Sequence, residues 1–263
     1  MIKLIASDID GTLLPDPKKG LDPHLFDQII TLKEHGIRFV ASSGRQLMNL
    51  QNLFAPVKDD ISYIAENGSL CVHNDEVISK SIIKRPLADK IVSAVMEKPN
   101  CNCIVSGETI CYTTSTNDEF VHDLTEVMKN NVKFIKDFRT DIDEPILKIA
   151  ICDYYNPEKT FDYFSSLFSD EIKVVTSGYA WTDFIAPNTN KGVALSKLTS
   201  ELGIKPDECV AFGDQYNDVE MIEYVGTGYV MSNAAPGMSY YSTYITDSVI
   251  DVLDDIIASL EIL

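Results

Sequence analysis

Short apolar runs alternate with stretches in which apolar residues recur every three or four positions, the pattern of strands interleaved with helices. Lys3-Leu4-Ile5-Ala6-Ser7 is apolar and runs into a Gly-containing turn, which predicts a buried strand. Asp22-Pro23 offers an N-cap and a first-turn proline; Leu25, Phe26, Ile29, Ile30 and Leu32 follow at helical spacing, and Gly36 closes the helix. Ile37–Ala41 is the next strand, a helix runs through Leu47, Leu50 and Leu53, and Tyr63–Ala65 is another strand. Asn74-Asp75 sits between two strand-like runs and predicts a hairpin.

Beyond residue 84 the texture changes. Helices are expected after Pro86, near Phe120–Met128 and near Phe161–Phe168, with strands near Cys103–Val105, Ile110–Thr113, Val132–Ile135, Leu147–Cys152, Lys173–Val175 and Trp181–Ile185. That is enough for an independent α/β domain of roughly 100 residues. Pro187–Asn190 reads as a linker, after which the alternation resumes: a helix from Lys191, a strand at Glu208–Phe212, a helix through Met221-Ile222, two further strands and a last helix carrying Val252, Leu253, Ile256, Ile257 and Leu260. The expectation is one domain of residues 1–83 and 187–263, interrupted by a second of residues 84–186.

Composition narrows the partners. Hydrophobic content of 45% with 24% charged residues suits a globular chain, and no apolar run approaches the roughly 20 residues of a membrane span. Asp8 follows Met1 too soon for a secretory signal, so a cytoplasmic protein is expected. Six cysteines show no CxxC pair, and the Cys101/Cys103 CxC lacks the partners of a zinc site, so free thiols are the better reading. A net charge of −18 disfavours nucleic acid and means that an anionic substrate must meet locally concentrated positive charge.

The chemistry concentrates at predicted strand ends. Asp8-Ile9-Asp10-Gly11-Thr12 follows the first strand, where ligands of open parallel sheets bind. Residues i and i+2 of an extended chain face the same way, and two neighbouring carboxylates repel unless a cation joins them. An isolated Asp-Gly is ordinarily just a turn. Ser43-Gly44-Arg45 ends another strand; a hydroxyl and exposed backbone N–H groups can hold phosphate oxygens, although Ser-Ser-Gly alone is also a turn. Lys191 opens a helix, where a lone lysine is most often solvated surface. Gly213-Asp214-Gln215-Tyr216-Asn217-Asp218 follows a third strand.

Taken in order, these four elements resemble the haloacid dehalogenase (HAD) superfamily, specifically its Cof-type phosphatases, over essentially the whole chain. The resemblance implies a doubly wound, Rossmann-like α/β core with an inserted α/β cap of the C2 type. It implies a magnesium-dependent phosphatase acting on a small phosphate monoester through an aspartyl-phosphate. Asp8 becomes the nucleophile and Asp10 the acid/base; Ser43, Gly44, Lys191 and Asn217 hold phosphate. Asp8, Asp214 and the Asp10 backbone carbonyl hold Mg2+, with Asp218 supporting that shell. Glu66-Asn67-Gly68 matches an element expected to shape the pocket edge. Two departures stand out: Ser232 replaces the usual glycine in Met231-Ser232-Asn233-Ala234, and a late NxxxGV-like signature is missing around Ser248–Val252. A phosphomutase of the same superfamily and a phospho-accepting receiver domain are the alternatives. Sugar phosphates lead the substrate classes, and Tyr112, Tyr179 and Trp181 are visible candidates for specificity in the cap.

Overall fold

A computed structural model describes residues 1–15, 20–177 and 180–260. Along the chain it forms β1 (Leu4–Ser7), α1 (Pro23–Glu34), β2 (Arg38–Ser42), α2 (Leu47–Leu53), β3 (Ser62–Ala65), β4 (Leu70–His73) and β5 (Glu76–Lys80). The middle supplies α3 (Arg85–Met96), β6 (Asn102–Ser106), β7 (Cys111–Thr113), α4 (Asp118–His122), β8 (Val132–Phe134), β9 (Lys148–Cys152), α5 (Pro157–Phe168), β10 (Lys173–Ser177) and β11 (Trp181–Ile185). The chain finishes with α6 (Lys191–Glu201), β12 (Cys209–Gly213), α7 (Val219–Tyr224), β13 (Thr227–Met231), β14 (Tyr244–Thr246) and α8 (Val249–Leu260). Two compact units result: residues 1–43, 50–79 and 190–263, and residues 44–49 with 80–189.

The first unit is built on a sheet ordered β14-β13-β12-β1-β2-β3-β4-β5. The strands from β14 to β3 run parallel, and β4 turns back antiparallel to β3. Every residue of β1 is buried, as a strand with both faces covered requires. On one face Leu4, Ala6, Val40, Ile64 and Ala211 pack with Leu195 and Leu198 of α6 and Met221 of α7. Elsewhere α1 and α8 lie side by side, the Gln28 amide donating to Asp254 at 2.7 Å. Helix α1 starts where expected: the Asp22 carboxylate accepts from the His24 N–H at 2.9 Å and Pro23 occupies the first turn. The hairpin turn is also as expected, with Asn74 and Asp75 at φ of 50° and 61°, the left-handed pair that a tight two-residue turn needs. Strand β1 lies between β2 and β12, from which the order runs outward in opposite directions. Such a reversal point opens a crevice beyond the strands' C-terminal ends.

The second unit carries a sheet ordered β10-β11-β9-β6-β7-β8, antiparallel except for the β7/β8 pair. Alternation divides its strands between two apolar clusters. Cys103, Val105, Ile149, Ile151 and Phe184 pack against Ile91, Val92 and Val95 of α3 and Phe164 and Phe168 of α5. Ile104, Cys111, Ala150 and Cys152 pack with Phe120 and Leu124. The helix expected over Phe120–Met128 begins earlier and changes character, α4 passing into a wider π-helical turn at Asp123–Val127. All six cysteines are free thiols. Among the described residues no helix is long and apolar enough to cross a membrane.

Candidate active site

Asp8 leaves the end of β1 and its N–H donates to the Phe212 carbonyl of β12 at 2.9 Å, so the sheet ladder itself fixes its backbone. Ile9, on the opposite side, is fully buried, whereas Asp10 is exposed. The next residue must be glycine. Gly11 has φ of +93°, and a Cβ there would lie 2.3 Å from Asp214 Oδ2. Thr12 then reaches across, its hydroxyl donating to Asp214 Oδ1 at 2.9 Å.

Lys191 is the first residue of α6, whose N-cap Asn190 side chain accepts from the Val193 N–H at 2.7 Å. Gly68, at φ of +94°, allows this helix start to approach, because a Cβ would meet the Asn190 carbonyl oxygen at 2.2 Å. The Lys191 side chain is fully buried, and its Nζ donates to Asp8 Oδ1 and Asp218 Oδ1, each at 2.5 Å. Asp218 Oδ2 accepts the backbone N–H groups of Asp214 and Gln215, each at 3.1 Å. Both Asp218 oxygens are therefore engaged. Asp8 contributes one oxygen to Lys191 and has none of the backbone bonds that Asp218 receives.

One ammonium thus faces three carboxylates. Asp8, Asp214 and Asp218 each offer an oxygen within 4.8 Å of the others, and among the described residues no other His, Cys, Asp and Glu cluster has metal-holding geometry. Burial, then the Asp218 charge, pushes Asp8 well above the usual carboxylate range, and Lys191 only partly offsets this. Asp214 is raised by burial and by Asp218 as well, against the Thr12 and Gln215 hydrogen bonds. Burial opposes the Lys191 charge, yet Asp218 and Asp8 outweigh it and hold its pKa above the ordinary lysine value. The cluster is short of positive charge. Hard oxygen donors in that state suit a small divalent cation.

Of the remaining expected residues, Ser43 is buried immediately after β2; its N–H donates to the Ile64 carbonyl at 2.8 Å and its carbonyl accepts from the Asn67 N–H at 3.0 Å. Gly44 begins the segment grouped with the second unit. Asn217 donates to the Asn67 side-chain oxygen at 3.1 Å, which ties the Glu66-Asn67-Gly68 element to the Asp214–Asp218 loop. Sequence reasoning gave no role to Thr12, Gln215 or Asn233, although each braces the site. Asn233 donates to the Gly11 carbonyl at 3.1 Å and Gln215 to Asp214 Oδ2 at 3.2 Å. Thr12 and Asn233 sat inside matched motifs, so position within the motif was the available signal. Tyr112 is buried in the second unit, its hydroxyl donating to Glu144, and Trp181 is half-buried there. Tyr179 lies outside the described residues.

Known proteins resemble this chain in sequence and in fold. The chain is 27% identical to the 5-amino-6-(5-phospho-D-ribitylamino)uracil phosphatase YbjI of Escherichia coli, over 97% of this chain and 96% of that protein. It is 26% identical to the HMP-PP phosphatase of Citrobacter koseri, covering 90% of this chain and 86% of the other. A crystal structure from Eubacterium rectale superposes with a TM-score of 0.86 at 27% identity, covering 97% of this chain and 99% of that one. A family model described as haloacid dehalogenase-like hydrolase matches residues 5–252, nearly the entire sequence. With that match spanning both units and the buried Asp8–Lys191–Asp218 cluster, the chain belongs to the haloacid dehalogenase-like hydrolases, in their Cof-type branch.

Proposed function

We propose that the chain is a magnesium-dependent phosphatase in which Asp8 is the nucleophile, Asp10 the acid/base, and the substrate a small phosphorylated metabolite. The observation that carries this reading is the Lys191 ammonium held at 2.5 Å between Asp8 and Asp218, with Asp214 alongside. Asp8 attacks phosphorus as the bond to the leaving oxygen breaks, and Asp10 gives that oxygen a proton. Water then cleaves the aspartyl-phosphate, its proton passing to Asp10, and inorganic phosphate departs. Lys191, Ser43, Gly44 and Asn217 hold the phosphoryl oxygens throughout. The carboxylates of Asp8 and Asp214 and the Asp10 carbonyl would hold magnesium, which when bound would supply charge neutralisation at the phosphoryl group. Asp218 supports that shell from outside, because both its oxygens already serve Lys191 and the backbone.

Residues 1–83 and 187–263 form the catalytic domain in this reading, and residues 84–186 the cap that selects the organic part of the substrate. Sugar and sugar-alcohol phosphates lead. The E. coli relative's name describes a phosphorylated ribityl compound, which favours that class. Phosphate release should be measured across a panel of phosphorylated metabolites, with magnesium and with a chelator. Stoichiometric inorganic phosphate from a monoester supports the phosphatase. Transfer of the phosphoryl group to a second sugar without phosphate release refutes it in favour of a mutase.

A further inference from the structure

Phe212, Tyr229 and Tyr244 are partners in register on the adjacent parallel strands β12, β13 and β14. Their rings form a ladder across the sheet, with centroids 4.9 Å and 5.2 Å apart and planes inclined by 21° and 32°. Burial fades along it: Phe212 is fully buried, Tyr229 half-buried and Tyr244 54% exposed. Among the described residues no strand follows β14, so the ladder ends at the Tyr244 ring. Helix α8 closes the other side. Between it and the edge strands lies a cavity of about 350 Å³, walled by Tyr229, Tyr244, Val252 and Ile256 and bordered by Asp255. That volume suits a small organic molecule.

The polar groups around it are unevenly committed. Thr246 bonds both the N–H and the carbonyl of Ser248, and the Ser259 hydroxyl donates to the Ile256 carbonyl at 2.6 Å. Asp254 accepts from Gln28 at 2.7 Å and pairs with His24. Asp255, by contrast, has no hydrogen bond or ion pair among the described residues. Its charge reaches the cavity: burial, then Tyr244 and Asp255, raise the pKa of Tyr229. The sequence offers no basic partner nearby along the chain. Every lysine, arginine and histidine lies at or before Lys205, so from Pro206 to Leu263 only acidic side chains carry charge. A ring face, an aliphatic wall and a carboxylate without a counter-ion are the components that recognise an organic ammonium. An exposed carboxylate alone holds any cation weakly. The rings and the wall add contacts that a hydrated metal ion cannot use, and these set the ligand class.

We infer that the cavity between β13, β14 and α8 binds a small organic ammonium ion, its charge against Asp255 and the Tyr244 ring and its carbon body against Val252 and Ile256. The inference stands apart from the phosphatase reading, because none of these residues belongs to the acidic cluster of Asp8, Asp214 and Asp218.

The probe is benzylamine, with benzyl alcohol as its neutral and benzoate as its anionic counterpart. Each is titrated into the full chain and read by NMR shifts of isotope-labelled tyrosine rings. Magnesium is present throughout, so that the acidic cluster does not compete for the amine. The Tyr229 and Tyr244 signals should shift saturably with benzylamine, at a Kd about tenfold or more below that of benzyl alcohol, and benzoate should bind most weakly. Asp255→Asn should erase the preference for the amine over the alcohol. Tyr244→Leu should weaken amine binding by about three- to tenfold, read at Tyr229. Both positions are exposed, so melting temperatures near wild type should show that the variants are folded. Benzylamine that shifts neither ring, or binds no tighter than benzyl alcohol, overturns the site. So does an amine preference that survives Asp255→Asn in the folded protein.

Discussion

Replacing Lys191 with methionine removes the only ammonium bonded to the acidic cluster among the described residues, while keeping most of the side chain's volume. Asp8 and Asp218 lose bonds of 2.5 Å each, and three carboxylates remain within 4.8 Å of one another. At that separation a like-charge pair costs about 3.5 kcal/mol for an effective dielectric near 20, so the cluster takes up a proton rather than carry its full charge. Stranding a buried charge in this way typically costs about 3–5 kcal/mol. For a chain of this size that corresponds to a drop in Tm of roughly 6–20 °C without metal. Magnesium should return part of the loss, because a cation bound only by the folded state stabilises it. Activity should fall by about 10²–10³-fold and stay low with magnesium, since a fixed charge on the phosphoryl oxygens is gone. Lys191→Met/Asp218→Asn separates the two effects: it should recover much of the melting temperature and none of the activity. Calorimetric melting with chelator and with magnesium, beside aryl phosphate turnover, supplies the readout. An unchanged Tm for Lys191→Met in chelator, or restored turnover in the double variant, would refute the reasoning.

Gly11→Ala drives a methyl group to within 2.3 Å of Asp214 Oδ2 and forces a φ of +93° on alanine, so hydrolysis should fall at least a hundredfold; normal turnover would show that this contact is dispensable. Thr12→Val removes the hydroxyl bonded to Asp214 and should weaken magnesium activation by about tenfold in a metal titration of turnover. Exhaustive chelation should abolish activity and added magnesium restore it, with calcium a poor substitute; full activity without metal rules out the mechanism. Removing residues 84–186 behind a short linker should leave a folded core that still acts on an aryl phosphate but ranks metabolites differently, and an unchanged ranking would place specificity elsewhere.

Local pattern carried the element types. Alternation and helical spacing marked β1, α1, β2 and the resumption after Pro187, and Asn74-Asp75 announced a turn whose left-handed pair few other residues tolerate. Less visible were features set by contacts between distant residues. The order of the second sheet, with its single parallel pair, depends on long-range pairing that periodicity does not encode. The π-helical turn after α4 left no local signal, because Asp123–Val127 contains neither glycine nor proline to mark a break in the helix. At the site, motif position located Asp8, Lys191 and Asp214. The double duty of Asp218, a partner of Lys191 and of two backbone N–H groups, came only from geometry.

The central claim is that Asp8 carries phosphate during turnover. Asp10→Asn keeps the nucleophile and the backbone carbonyl while removing the group that activates water, an assistance typically worth about 10²–10⁴-fold. Mixed rapidly with an aryl phosphate and magnesium, it should release a burst of phenol equal to the enzyme and then stall. Acid quenching followed by peptide mass mapping should locate phosphate on Asp8, and Asp8→Asn should show neither burst nor phosphate. A burst from Asp8→Asn, or phosphate mapped to any other residue, would contradict the account.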